Sequence, residues 1–185
     1  MTKRVLVPLA QGCEELEAVT IIDLLTRAGV DVVTASLDDN RTITASRGVQ
    51  LVAQTTLADV ESDRFDMIAL PGGLPGANHL NEDGRLHHML RQTVQQGGLS
   101  AAICAAPKVL VTAGLLDGKK ATSFPSVIEQ QPAENMTFVD DAVVQDGQVV
   151  TSKGPGTAIP FALTLIENLL GLDKRHEVES GLQLS

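Results

Sequence analysis

Short apolar runs recur along the chain, and most are followed by a turn signal and then by a stretch whose apolar positions repeat with helical period. RVLVPLA (4–10), VDVVTASL (30–37), FDMIALPGG (65–73) and LSAAICAA (99–106) are nearly continuous apolar runs of strand length. Such runs mark strands buried on both faces. Between them, EELEAVTIIDLLTRAG (14–29) and NEDGRLHHMLRQTVQQGG (81–98) carry helical spacing and end in glycine, a common helix stop. The alternation predicts a doubly wound α/β fold with a mostly parallel sheet. Two stretches break the pattern. RTITASRGVQLVAQTTL (41–57) alternates as a strand or hairpin does, and AVVQDGQVVTSK (142–153) sets Asp146-Gly147 between apolar runs, a strong hairpin signal. A last helix is expected from about Thr157 to Gly171, with Pro160 tolerated in its first turn.

With 185 residues, the chain suits one domain spanning 1–185. It has no Trp or Tyr and only four Phe, so Val, Leu, Ile and Ala must build the core. A net charge of -9 offers phosphate backbones no broad attraction, which argues against nucleic acid as the main ligand. No apolar run approaches the ~20 residues that span a bilayer, and MTKRVLVPLA lacks a signal-peptide core. A cytoplasmic protein without membrane partners is therefore expected. Two cysteines, Cys13 and Cys104, without CxxC or Cys/His spacing, argue against a disulfide framework and structural zinc. Nothing in the sequence calls for a metal or an organic cofactor.

In open α/β sheets, ligands bind beyond the carboxyl ends of the strands. Three segments lie there: Gly12 to Glu17, LPGGLPG (70–76), and Cys104 with its neighbours. Cys104 precedes AAPKVLVTAG, a helix candidate with Pro107 in its first turn, which would put the sulfur at a helix N-terminus and favour the thiolate. Ala101, Ala102, Ala105 and Ala106 leave room for a sharp turn of the nucleophile-elbow type. The competing reading is a buried small hydrophobe. The PGGLPG loop could aim backbone N–H groups at an oxyanion, although glycine-rich turns after strands are common.

Glu17 shares a helical stripe with Ile21, Leu24 and Ala28. A carboxyl group facing the core there would have a raised pKa. The alternative, slightly favoured by periodicity alone, sets Glu17 at the solvent edge of the stripe. Glu14 and Glu15 are assigned to the helix N-terminus. Of His79, His87, His88 and His176, the middle pair falls within a polar helix and reads as surface, and Ala105 rather than histidine follows Cys104.

In that order, GCEELEAVT, LPGG, AAICAAP and TSKGPGTA give the chain a resemblance to the ThiJ/PfpI superfamily over nearly its whole length. It is most similar to the DJ-one branch, which holds the parkinsonism-linked animal protein and bacterial ThiJ/YajL-type proteins. The resemblance implies a flavodoxin-like three-layer sandwich, usually a homodimer, with an oxidation-prone cysteine at a nucleophile elbow. It places the reactive cysteine on Cys104 and a protonated glutamate on Glu17. Oxyanion-type backbone donors fall on Gly73 and Ala105, beside Gly72. Arg27 and Arg47 match residues of the dimer contact or nearby anion binding, and Gly154 and Pro155 match pocket-lining residues.

The implied function is a stress-response activity on small reactive carbonyls (2-oxoaldehydes) or on glycated proteins, of glutathione-independent glyoxalase or deglycase type. The alternative is an oxidative-stress sensor and redox-controlled chaperone acting through oxidation of Cys104. Two departures bear on this. Phe124 stands where some family members have histidine, and Ala105 stands where PfpI-type proteases have histidine, which counts against peptidase activity. Cys13 replaces a frequent Ala or Ser, most simply as a tolerated small residue.

Overall fold

A computed structural model describes residues 2–184. In chain order the elements are β1 (Arg4–Leu9), α1 (Glu15–Arg27), β2 (Asp31–Ser36), β3 (Thr42–Thr44), β4 (Gln50–Val52), β5 (Thr55–Thr56), α2 (Leu57–Val60) and β6 (Met67–Leu70). They continue with α3 (Leu74–Glu82), α4 (Gly84–Gln95), β7 (Leu99–Ile103), α5 (Pro107–Thr112), β8 (Lys120–Ala121), β9 (Thr137–Phe138), β10 (Val143–Asp146), β11 (Val149–Ser152), α6 (Ala158–Leu170) and α7 (Leu172–Gly181).

The central sheet has seven strands in the order β10-β11-β7-β6-β1-β2-β5. All its pairings are parallel except β10 with β11. Alternation along each strand feeds two separate cores. Val5, Val7, Met67, Ala69, Ala101 and Ile103 face one layer, where Ile21, Leu25, Phe161 and Ile166 of α1 and α6 cover them. Leu6, Ile68, Leu70 and Ala102 face the other, under Leu86, Leu90, Val109 and Leu110 of α4 and α5. This is the expected flavodoxin-like three-layer sandwich.

Three boundaries differ from those expected. The helix predicted over 81–98 starts only at Gly84, because the Asp83 carboxylate caps the N–H groups of Arg85 and Leu86. Ahead of it, Leu74–Gly76, expected as loop, already opens α3, with Pro75 tolerated in the first turn. The 142–153 hairpin forms, but Asp146 still pairs with Val149, so the turn is Gly147-Gln148, with Gly147 at φ 61°. The 41–57 segment folds as the β3-β4 hairpin outside the main sheet, followed by the short edge strand β5. The helix expected from about Thr157 stops at Gly171 as expected, with φ 90°, but it is not the last: α7 (Leu172–Gly181) follows directly and was not expected.

Candidate active site

The site forms where β7 ends. Cys104 N–H still donates to Ser152 O of β11 at 2.9 Å, extending the ladder by one residue. The chain then turns sharply: Cys104 adopts φ 64°, and Ala106 N–H returns to Ile103 O at 3.0 Å. A left-handed conformation at a residue with a side chain costs about 1–2 kcal/mol. The ladder bond and the turn bond hold it there. Ala101, Ala102 and Ala106 are fully buried and Ala105 nearly so, so larger side chains would not fit around this bend. Cys104 itself is 9% exposed.

Glu17 occupies the first turn of α1 and has no solvent exposure, so the solvent-edge reading is replaced by burial against the sheet. Its Oε2 accepts the Gly72 N–H at 2.7 Å. Burial pushes its pKa up to about 7, partly offset by that N–H and by contact with the Cys104 thiol. Oε1 is buried without a hydrogen-bond partner, so the approach to the thiol is close but short of a full hydrogen bond. Such an orphaned oxygen disfavours the bare carboxylate and favours the acid.

Cys104 does not show the lowered pKa expected from a helix end. Its thiol is pushed up to about 12, first by burial and then by the Glu17 carboxylate, while the N–H groups of Gly73 and Ala105 pull the other way. The helix that follows has only six residues, which leaves its end a weak source of positive potential. Each group therefore resists ionising while its neighbour is charged. Below about pH 7 both groups hold their protons, and above it the pair carries one negative charge and titrates as a unit. When Glu17 holds the proton, the repulsion disappears and the two backbone donors remain aimed at the sulfur.

Gly72 and Gly73 make this closeness possible. A Cβ on Gly72 would lie 2.6 Å from Cys104 Cβ and 2.7 Å from Glu17 Oε2. One on Gly73, at φ 88°, would lie 2.6 Å from Gly12 O. The loop is tied to the start of α1 by Glu14 N–H donating to Gly72 O at 2.9 Å. Glu14 is the N-cap residue of α1 and Glu15 lies in its first turn, as expected, but no side-chain cap forms there and both carboxylates have a further task. Ser46 Oγ donates to both carboxylates, at 2.8 and 3.0 Å, and Arg47 N–H donates to Glu15 at 2.9 Å. The two carboxylates thus fasten the β3-β4 turn to α1. No sequence signal marked Ser46 for this.

The rim comes from the segments after β11 and β8. Gly154 N–H donates to Thr157 Oγ1 at 3.1 Å, and Thr157 Oγ1 lies 2.6 Å from Ser152 Oγ, which fixes the turn containing Gly154 and Pro155. The Ser152–Thr157 contact explains the TSKGPGT stretch and was not foreseen. Phe124 N–H donates to Cys104 O at 2.8 Å, and its ring packs on Gly154.

The remaining candidates lie elsewhere. Arg27 closes α1 in an exposed pair with Asp23, ten residues beyond Glu17 and about 15 Å along the helix. Within one chain it is therefore not a pocket residue. Arg47 sits exposed at the hairpin turn. His79, His88 and His176 are exposed, while His87 is half-buried with its pKa lowered, first by burial and then by Arg91. None is among the groups that act on Cys104. Cys13 is fully buried, with its thiol pushed up to about 12, first by burial and then by Glu15. A surface cavity of about 280 Å³ lined by Gln11, Leu37, Asp38, His79 and Glu82 does not include Cys104. Among the described residues no group of three or more His, Cys, Asp and Glu could hold a metal, and no helix is long and apolar enough to cross a membrane.

A flavodoxin-like α/β protein with a cysteine on a strand-to-helix elbow and a fully buried glutamate beside it is the class these features define. The chain belongs to the DJ-1/PfpI family, whose model matches residues 3–168. It is 47% identical over 183 residues to protein dj-1beta of Drosophila melanogaster, covering 98% of this chain and 97% of that protein. Against protein DJ-1 homolog A of Arabidopsis thaliana it is also 47% identical, over 99% of this chain, but spans 47% of that protein's length. A Caenorhabditis elegans protein named glutathione-independent glyoxalase DJR-1.2 is 35% identical over 175 residues, covering 95% of this chain and 92% of that protein. Among solved structures, Drosophila melanogaster DJ-1beta superposes with a TM-score of 0.94 at 45% identity, and Toxoplasma gondii DJ-1 in an oxidized state with 0.94 at 43% identity. Each comparison covers all of both chains.

Proposed function

We propose that this protein is a glutathione-independent, glyoxalase-type enzyme that converts 2-oxoaldehydes to 2-hydroxy acids, or releases them from early adducts on proteins. The observation that carries this is a cysteine at a left-handed strand-to-helix turn beside a fully buried glutamate whose pKa is pushed up to about 7, with the N–H groups of Gly73 and Ala105 favouring charge on the sulfur. Cys104 thiolate adds to the aldehyde carbon, and the former carbonyl oxygen takes the proton to give a hemithioacetal. Glu17, now a carboxylate, removes the proton from that carbon and returns it to the adjacent one, passing through an enediol. The product is a thioester of a 2-hydroxy acid, and water releases the acid and restores the thiol. No electrons leave the system, so no redox partner is required. Backbone N–H groups stabilise the oxyanion that develops in the addition and hydrolysis steps. The C. elegans relative's name supports the same chemistry.

A second reading uses the same pair. Peroxide would take Cys104 to the sulfenic and then the sulfinic acid, with Glu17 donating its proton to the oxidised sulfur. The oxidized state of the T. gondii relative favours it. The two readings part in one assay. Incubated with methylglyoxal and no glutathione, the wild type should form lactate and Cys104→Ser should not. Background turnover, together with addition of two oxygens to Cys104 by peroxide, would replace the enzyme by the sensor.

A homodimer fits the surface. Leu16 and Val19 of α1 and Val49 and Val52 of the hairpin are each about half exposed or more. The Glu15 contacts hold the two elements side by side. Such an apolar face is unusual on a free surface.

A further inference from the structure

The site described above accounts for Cys104, Glu17 and the backbone donors, but not for the side chain that walls it. Phe124 is one of only four phenylalanines, and it is 50% exposed. An aromatic ring left half in water has apolar area available for a ligand. Its position is held from both sides. The backbone N–H is tied to Cys104 O, the residue's own carbonyl accepts from Ser123 Oγ at 2.8 Å and from Val127 N–H at 3.1 Å, and the ring lies over Gly154. A Cβ on Gly154 would come within 3.3 Å of the ring, so the glycine gives the ring a flat seat. Across the site, Leu74 follows the donor Gly73 and is 61% exposed. Two exposed, uncharged apolar side chains are thus carried by segments bonded to Cys104 or adjoining its backbone donor.

We infer that Phe124 is a specificity-determining residue that favours substrates with an aromatic or other flat apolar group next to the reacting carbonyl. This rests on the 2-oxoaldehyde reading for the identity of the reaction, but not for the recognition itself. A carbonyl carbon attacked by Cys104 carries its substituent outward to the rim, where the open face of Phe124 can stack on a ring. A methyl group would cover little of that face. Offset aromatic pairs gain enough beyond area burial for a preference of roughly three- to tenfold.

The test uses alkylation of Cys104, which needs no turnover. Phenacyl bromide and iodoacetamide both lose halide to the thiolate, and their relative rates are followed by intact mass. The ratio of phenacyl to acetamide labelling should fall about three- to tenfold in Phe124→Ala and lie between those limits in Phe124→Leu. An unchanged ratio in a folded Phe124→Ala protein would overturn the assignment. Should that variant misfold, protection of wild-type Cys104 from iodoacetamide decides instead: benzamide should protect at lower concentration than acetamide, and equal protection would overturn it. Turnover of phenylglyoxal and methylglyoxal is measured separately. Loss of both reactions would sink the proposed reaction and leave the labelling ratios to decide the role of Phe124.

Discussion

At the scale of single residues, the site depends on one buried carboxyl group. Glu17 titrates at about 7 when folded and at 4.5 ordinarily. Below pH 4.5 it is protonated whether folded or unfolded, so its burial adds no ionic penalty. Between 4.5 and 7 the unfolded chain releases a proton that the folded chain keeps, so stability falls as pH rises, by about 3 kcal/mol in all. Urea unfolding at pH 5 and pH 8 should show this loss in the wild type and a much smaller one in Glu17→Gln. The same loss in both proteins would mean that Glu17 is not the group responsible. The same ionisation also sets activity: kcat/KM should rise with pH through a single step near 7. No histidine acts on Cys104, so no second step is expected in that range.

Among the elements, the glycine loop between β6 and α3 controls how closely α1 and β7 approach each other. Gly72→Ala would press a methyl group into Cys104 and Glu17, an overpacking that costs about 1–3 kcal/mol. In a chain of this size that lowers the thermal midpoint by roughly 2–12 °C. Scanning calorimetry checks it, and an unchanged midpoint would show that the loop yields without cost. Gly84→Ala, with open space around it, is the matched control and should not lower the midpoint. Much of this arrangement was legible in the sequence. The runs ending at Leu70 and Ile103 were nearly continuous and apolar, broken only by Asp66 and Ser100, so their strands and carboxyl ends were clear. The depth of Glu17 was not, because three apolar partners at helical spacing define a stripe but not its edges. Nor was the direction of the Cys104 shift. The sequence shows which helix follows a cysteine but not that it stops after six residues or that a carboxyl group is buried beside the sulfur.

For the whole molecule, Ser46 and Arg47 bind the hairpin to Glu14 and Glu15 of α1, and the proposed dimer face is made of the exposed Leu16 and Val19 of α1 and Val49 and Val52 of the hairpin. If that face joins two copies, Val19→Asp should convert a particle of about twice the chain mass into a monomer, as light scattering would register. An unchanged mass would place the contact elsewhere. Arg27 and Arg47, matched by family resemblance to a pocket or a dimer contact, both lie on the outside of the chain, Arg27 paired with Asp23 and Arg47 at the hairpin turn. The central claim concerns the pair inside, and lactate formation from methylglyoxal without glutathione tests it most directly when wild type, Cys104→Ser and Glu17→Gln are compared. The account predicts turnover by the wild type, none by Cys104→Ser, and a rate lowered at least about 100-fold by Glu17→Gln. A Glu17→Gln protein that forms lactate as fast as the wild type would contradict it.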